Sequence, residues 1–132
     1  MKKFVVFILI VSTTWFFDAC KNQNTPEATV EKYYNFIMNK QYRESLKLID
    51  FGDISIDDKN FDKIVEELEN AFSGNDAIIK YEILSTKKQT KNNVELVFID
   101  TRYYTQENQK GIEQDFTLYQ NEAGEWMFTF AK

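Results

Sequence analysis

The spacing of apolar residues changes once along this chain, at Ile78, and this change constrains the fold more than any other feature. Before Ile78, apolar side chains recur every three or four residues, which is the period of an α-helix. From Ile78 onward they recur every second residue, which is the period of a β-strand. Helices that are followed by sequential strands predict an α+β fold, because a sheet with one apolar face must be covered by the helices.

Three helices are predicted before the change. The first begins at Thr25, whose hydroxyl can cap a helix, and Pro26 fits its first position, where a backbone N–H would have no partner. The second covers 42–49, and the third runs from about Lys59 to Ser73, with Gly74 as its C-terminal stop. The apolar face of the first helix is formed by Val30, Tyr33, Tyr34, Ile37 and Met38.

Four strands with short turns are predicted after the change. In the first strand, Ile79, Tyr81 and Ile83 alternate with charged residues. The second covers 94–104, the third 112–120, and the last places Trp126, Phe128 and Phe130 on one face. Sequential strands of this kind form an antiparallel meander. The chain therefore predicts N-terminal helices on a four-stranded antiparallel sheet.

The first 19 residues have the composition of an export signal. Lys2 and Lys3 give the segment a charged start, and an unbroken apolar run follows from Phe4 to Val11. A membrane-spanning helix needs about 20 apolar residues, whereas polar residues from Ser12 onward interrupt this run. The segment is therefore interpreted as a signal peptide and not as a permanent span.

The end of this segment, Phe17-Asp18-Ala19-Cys20, resembles the lipobox of bacterial lipoproteins. In that class of protein, the thiol at the position of Cys20 receives a diacylglyceryl group and the chain is cut before it. Cys20 is the only cysteine of the chain, so an internal disulfide is excluded. The resemblance divides the chain into a signal peptide (1–19), a lipidated cysteine with its tether (20–24) and one domain (25–132). It implies attachment to a bacterial membrane through lipid on Cys20, with the outer membrane or periplasmic face favoured over the inner membrane.

The charge of the chain argues against nucleic acid as a partner. Removing Lys2, Lys3 and Asp18 from the 16 basic and 21 acidic residues leaves 14 and 20, a net charge of −6. An acidic surface repels phosphate backbones. The chain has no histidine and only four glycines, with no glycine-rich phosphate loop, so no cofactor is predicted.

A cluster of aspartates follows the second predicted helix and raises the hypothesis of a calcium site. Its members are Asp50, Asp53, Asp57, Asp58 and Asp62. Their spacing is not that of an EF-hand loop, and Asp57 or Asp58 is better explained as the N-cap of the third helix. No metal site is predicted.

Three segments resemble a family of small bacterial lipoproteins whose domain has no known function. The segments are Thr25-Pro26-Glu27 with Val30, 39–46 and 121–126. The resemblance implies a nuclear-transport-factor-2-like fold, also called a cystatin-like roll, in which a long helix crosses a curved sheet and leaves a conical cavity. Phe128 stands where many relatives have a smaller or polar residue, which implies that the cavity is partly filled.

The candidate cavity residues follow from this fold. They are Tyr34, Phe98, Asp100, Arg102, Tyr104, Phe116 and Phe128. Asp100 is the candidate catalytic carboxylate, because enzymes with this roll can work with a carboxylate and tyrosines in the cone. Two other roles stay open for Asp100: a polarity filter for a ligand, and a solvated ion pair with Arg102 that contributes little.

Two functions of different classes follow. The first is a non-enzymatic envelope module that binds a small apolar ligand or an envelope protein. The second is a small isomerase, dehydratase or hydrolase with the same roll. If Tyr34, Phe116 and Phe128 fill the cone, a scaffold that acts through its outer surface is favoured.

Overall fold

The computed structural model describes residues 24–52 and 59–130. The helices are α1 (Pro26–Met38), α2 (Tyr42–Leu46) and α3 (Lys59–Ala71), and a 3-10 turn covers Gly74–Asp76. The strands are β1 (Ile78–Lys91), β2 (Val94–Thr105), β3 (Ile112–Gln120) and β4 (Trp126–Thr129). The α+β class and the antiparallel four-stranded sheet are thus confirmed. The signal peptide, Cys20 and most of the tether lie outside the described residues.

Helix α1 begins as its sequence predicts. The Thr25 hydroxyl accepts a hydrogen bond of 3.1 Å from the Ala28 N–H, and Pro26 occupies the first turn. The face of α1 that carries Val30 and Tyr34 is fully buried against the sheet. In the described part of the chain, no helix has the length and apolar composition needed to cross a bilayer.

The sheet is open, with strand order β1-β2-β3-β4 and antiparallel pairing throughout. One face packs on α1, and its fully buried side chains include Val97, Ile99 and Thr101 on β2 and Leu118 on β3. The other face, here called the open face, carries charged residues such as Asp100 and Asp115. The core therefore lies between α1 and one face of the sheet.

The second helix is shorter than the sequence predicts. It ends at Leu46, and the next residues lie along β4 in a parallel bridge between Ile49 and Phe128. Phe128 N–H donates to the Leu48 carbonyl at 2.9 Å, and Asp50 N–H donates to the Phe128 carbonyl at 2.8 Å. An edge strand presents unpaired backbone groups, and residues 48–50 satisfy those of Phe128 in β4.

The prediction for the first strand is wrong at Ile79. A register shift between Ile78 and Lys80 indicates a β-bulge, and it changes which side chains point inward. Ile78 is 6% exposed and Ile79 is 56% exposed, while Tyr81 and Ile83 pack against the core as predicted.

Candidate functional site

The seven predicted cavity residues lie on opposite sides of the sheet. Tyr34, Phe116 and Phe128 belong to the core between α1 and the sheet. The other four (Phe98, Asp100, Arg102 and Tyr104) alternate on β2 with the inward-facing Val97, Ile99, Thr101 and Tyr103, and so belong to the open face. The assumption that Asp100 and its neighbours face the helices is therefore wrong. Burying a charge costs several kcal/mol or more, so the charged face of β2 turns to water.

The three core rings contact one another. The ring centroids of Tyr34 and Phe116 are 5.8 Å apart, and those of Phe116 and Phe128 are 4.9 Å apart. Tyr34 also stacks on Tyr81, with centroids 4.6 Å apart. These rings occupy the space between α1 and the middle of the sheet, where a central cavity had been predicted.

The hydroxyl of Tyr34 is buried at the centre of this packing. It lies 2.7 Å from Thr101 Oγ1 and donates to Gln114 Oε1 at 3.1 Å. Thr101 Oγ1 also lies 2.8 Å from the Gln114 carbonyl, and its one proton is donated either to that carbonyl or to Tyr34. Burial raises the pKa of Tyr34, and the hydrogen bond with Thr101 only partly opposes this effect. The phenol is therefore a neutral, fixed hydrogen-bonding group at physiological pH.

A pocket of about 340 Å³ opens beside this core, at the edge of β3. Strand β4 pairs only with Thr117–Gln120 of β3, so the preceding residues of β3 have no β4 residue beside them. The lining residues are Tyr33, Ile49, Gln114, Asp115, Phe116, Thr117, Phe128, Thr129 and Phe130. The buried part of the lining is aromatic, and the exposed part combines Asp115 with the ring of Phe130, an arrangement that suits an apolar group entering from solvent.

Tyr33 and Phe130 are the pocket residues that the sequence interpretation assigned to the core alone. The Tyr33 ring lies 5.4 Å from the centroids of both Phe116 and Phe128, and burial raises the pKa of Tyr33. Phe130, predicted to share a face with Trp126 and Phe128, follows the last residue of β4 and is 75% exposed, so it lines the pocket beside Phe128 without joining the buried core. Its period-two spacing from Phe128 gave no sign that the strand ends at Thr129.

Two carboxylates oppose each other on the open face. Asp100 on β2 and Asp115 on β3 are direct partners in the β-ladder, and Ser85 Oγ donates to Asp100 Oδ2 at 2.9 Å. The hydrogen bond with Asp100 raises the pKa of Asp115 above its usual value, and burial and the Asp100 charge act in the same direction. Both side chains are exposed. A smaller opening of about 240 Å³ lies here, between Leu84 and Glu113.

Arg102 does not form the predicted ion pair with Asp100. Arg102 pairs across the strands with Glu113 at 2.8 Å and with Glu82 at 3.8 Å. Tyr104 donates to Glu82 Oε1 at 2.8 Å. Cross-strand neighbours on one face lie closer than residues two apart on one strand, which explains the choice of partners.

Two members of the aspartate cluster have protein partners. Asp50 accepts hydrogen bonds from Tyr119 and from the Gly52 N–H, and the bond from Tyr119 is the larger cause of the lowered pKa of Asp50. Asp62 pairs with Arg43. Asp53, Asp57 and Asp58 lie outside the described residues. Within 24–52 and 59–130, no group of three or more potential ligands is placed to hold a metal ion.

A scan against models of protein families finds none that matches this chain, and a search of curated proteins finds no similar sequence. The functional argument therefore depends on the residues and their geometry.

Proposed function

We propose that this chain is a lipoprotein of the bacterial cell envelope, anchored through lipid on Cys20, whose domain is a non-enzymatic binding module. The lipobox-like residues 17–20 and the single cysteine support the anchor. The long helix across a four-stranded antiparallel sheet supports a nuclear-transport-factor-2-like roll, the finer fold that we propose for the domain.

The pocket beside β3 is the observation that carries the binding function. Its aromatic floor is formed by Tyr33, Phe116 and Phe128, and the exposed ring of Phe130 stands at its rim. Single exposed apolar residues are common, but an exposed ring next to an aromatic pocket extends one apolar surface. The proposed ligand is an apolar group that enters from the side, either on a small molecule or on an envelope protein.

The packing of the interior favours this pocket over a deep central cavity. Tyr34, Phe116 and Phe128 occupy the centre, so the module works at its rim and outer surface. The alternative, a small enzyme that uses Asp100, receives less support because Asp100 is exposed on the open face and already accepts a bond from Ser85.

Fatty-acid labelling of cells that express the chain tests the anchor. We expect the parent chain to incorporate label and Cys20→Ala to incorporate none, with the precursor uncleaved or mislocalised. A Cys20→Ala chain that takes up as much label as the parent would rule out the lipoprotein assignment.

Titration with a hydrophobic fluorophore tests the pocket. Residues 21–132 contain every described element, so this soluble form is suitable. We expect Phe130→Ser to weaken fluorophore binding severalfold, because the variant removes the ring at the rim. The matched control is Ile79→Ser, which removes an exposed apolar side chain from β1. Equal losses in both variants would show that the probe binds exposed apolar residues without using the pocket.

The same titration separates binding from catalysis. We expect uptake by the parent and by Asp100→Asn to be equal between about pH 5 and 8, the range in which a carboxylate tuned for catalysis would titrate, because Asp100 lies on the open face and does not line the pocket. A pH dependence that is present in the parent and lost in Asp100→Asn would favour the enzyme.

A further inference from the structure

The pocket beside β3 has an apolar part and a polar part. Gln114 and Phe116 are successive inward-facing residues of β3, and β4 with Phe128 pairs only with the residues after Phe116. Strands advance about 3.3 Å per residue, so the side chains of Gln114 and Phe116 begin about 7 Å apart along β3. The apolar part therefore lies at Phe116, Phe128 and Phe130, and the polar part lies at Gln114.

Tyr33 of α1 connects the two parts of the pocket. Its ring lies edge-on against the rings of both Phe116 and Phe128, and its hydroxyl forms a hydrogen bond with Gln114. Tyr33 lines the pocket and is only 7% exposed. The hydroxyl therefore belongs to the polar part and is largely shielded from bulk water.

The hydrogen bonds around Gln114 have a direction. Gln114 Oε1 accepts from the Tyr34 hydroxyl at 3.1 Å, which leaves the N–H groups of the amide as donors. Burial raises the pKa of Tyr33, whereas the smaller effect of the hydrogen bond with Gln114 is to lower it. A group that donates to the phenol oxygen lowers the pKa, because it stabilises the charged form. The Gln114 amide therefore donates to Tyr33.

The Tyr33 hydroxyl consequently keeps its own proton for another acceptor. A phenol can donate one hydrogen bond while it accepts another. Within 24–52 and 59–130, the hydroxyl has its hydrogen bond from Gln114 and no acceptor for this proton. A donor that is shielded from water and lacks an acceptor is unfavourable. A ligand that brings an acceptor oxygen to this position therefore gains affinity.

The charges around the pocket favour a neutral acceptor. Of the described residues that line it, Asp115 alone carries a charge, so the lining offers a carboxylate ligand no cationic partner. Asp100 lies opposite Asp115 on the neighbouring strand and makes the local potential more negative. An anion that enters an apolar site without a partner loses its hydration. A carbonyl oxygen can accept the same hydrogen bond without burying a charge.

We propose that the pocket binds a neutral apolar molecule that carries a carbonyl oxygen, such as a ketone, ester or amide, and that the Tyr33 hydroxyl donates to that oxygen. The apolar portion of the ligand then lies against Phe116, Phe128 and Phe130. This inference rests on the proposed binding function of the same pocket.

Three ligands of matched shape test the chemical class. They are 4-phenyl-2-butanone, butylbenzene and 3-phenylpropanoate: a ketone, the hydrocarbon without its oxygen, and the corresponding carboxylate. The measurement is the Kd of each ligand at pH 7, from ¹H–¹⁵N chemical shifts of residues 21–132. Shifts at amides 114–117 and 128–130 identify binding in the pocket.

The deciding quantity is the ratio of the Kd of the ketone to the Kd of butylbenzene. We expect this ratio to rise about three- to tenfold in Tyr33→Phe, the effect of one lost hydrogen bond. Tyr33→Phe keeps the ring, and a ratio within one protein cancels any change in the folded fraction. The control is Tyr104→Phe, which removes a hydroxyl from the open face and should leave the ratio unchanged. The parent should bind the carboxylate more weakly than the ketone.

An unchanged ratio in Tyr33→Phe would overturn the inference and leave the pocket as a purely apolar binding site. Tighter binding of 3-phenylpropanoate than of the ketone would overturn it as well. If neither the ketone nor butylbenzene shifts the pocket amides, the proposed binding function fails, and this inference fails with it.

Discussion

The Tyr34 hydroxyl is the polar group that joins α1 to the middle of the sheet. Its contacts reach Thr101 on β2 and Gln114 on β3, and Tyr34 itself is fully buried. Tyr34→Phe removes one oxygen and leaves two buried polar groups with fewer partners. We expect a loss of about 1 to 3 kcal/mol in the free energy of unfolding. The measurement is chemical denaturation of residues 21–132.

The control for this variant is Tyr104→Phe. It removes the bond to Glu82 on the open face, where water can replace the lost partner. We expect a loss below about 1 kcal/mol for it. Similar losses in the two variants would mean that the buried Tyr34 hydroxyl stabilises the fold no more than the exposed Tyr104 hydroxyl does.

The opposed carboxylates of Asp100 and Asp115 give a second prediction at this scale. The folded pKa of Asp115 is raised, chiefly by its hydrogen bond with Asp100, so the unfolded chain releases this proton at lower pH than the folded chain. Folding stability therefore falls as pH rises from the ordinary aspartate value of about 4 to the raised value. We expect Asp115→Asn to be more stable than the parent at neutral pH, by less than about 1 kcal/mol.

The pH dependence of the free energy of unfolding tests whether the raised pKa of Asp115 is the cause of this gain. The gain from Asp115→Asn should disappear as the pH falls below the ordinary aspartate value of about 4, because Asp115 is then protonated in both the folded and the unfolded parent. Glu122→Gln serves as the control, because it removes an exposed carboxylate from the β3–β4 turn. A variant Asp115→Asn that is less stable than the parent at neutral pH would contradict the argument.

The turn between α1 and α2 contains a residue in an unfavourable conformation. Lys40 has φ of 61°, in the left-handed region, where residues with a side chain pay about 1 kcal/mol and glycine does not. Lys40→Gly should raise the free energy of unfolding by up to about 1 kcal/mol. Lys32→Gly, inside α1, should lower it by about 1 kcal/mol. Denaturation midpoints that move in the same direction for both variants would refute the conformational explanation.

Helices and strands in which apolar residues recur at a regular spacing could be predicted from the sequence. Which face of β2 is buried could not. Helix α1 and the four strands follow from the spacing of residues such as Val30, Tyr34 and Ile83. On β2, both alternating sets are apolar near the start of the strand, so the period alone does not choose the buried set. The choice depends on Asp100 and Arg102, which cost more to bury than Thr101 and Tyr103.

The pocket depends on contacts between distant elements, which a linear pattern does not contain. Residues 48–50 pair with β4, and this pairing brings Ile49 to the pocket. The extension predicted for the second helix would have placed Ile49 on a helical face instead. The bulge at Ile78 and Lys80 and the end of β4 at Thr129 are likewise set by packing and not by local spacing.

The buried core of the whole domain is shared unequally among the helices. Helix α1 contributes Val30, Tyr33, Tyr34 and Ile37 to the buried set, whereas α3 contributes Phe61 alone. Segments with little buried apolar surface open at a lower free energy than the global transition. We therefore expect α3 to open in the native protein while α1 and the sheet remain folded.

Native-state hydrogen exchange of residues 21–132 tests this order of opening. Amides of α3 should exchange with a lower free energy than those of β2, which report the global value, typically about 5 to 15 kcal/mol. Ile99→Val weakens the buried face of the sheet by about 0.5 to 1.5 kcal/mol. It should lower the exchange free energy of β2 amides and leave α3 amides unchanged, because α3 opens without disturbing Ile99. Phe61→Ala should lower both, since global unfolding also loses the Phe61 contacts. Equal shifts of α3 and β2 amides in Ile99→Val would instead show that the domain unfolds as one unit.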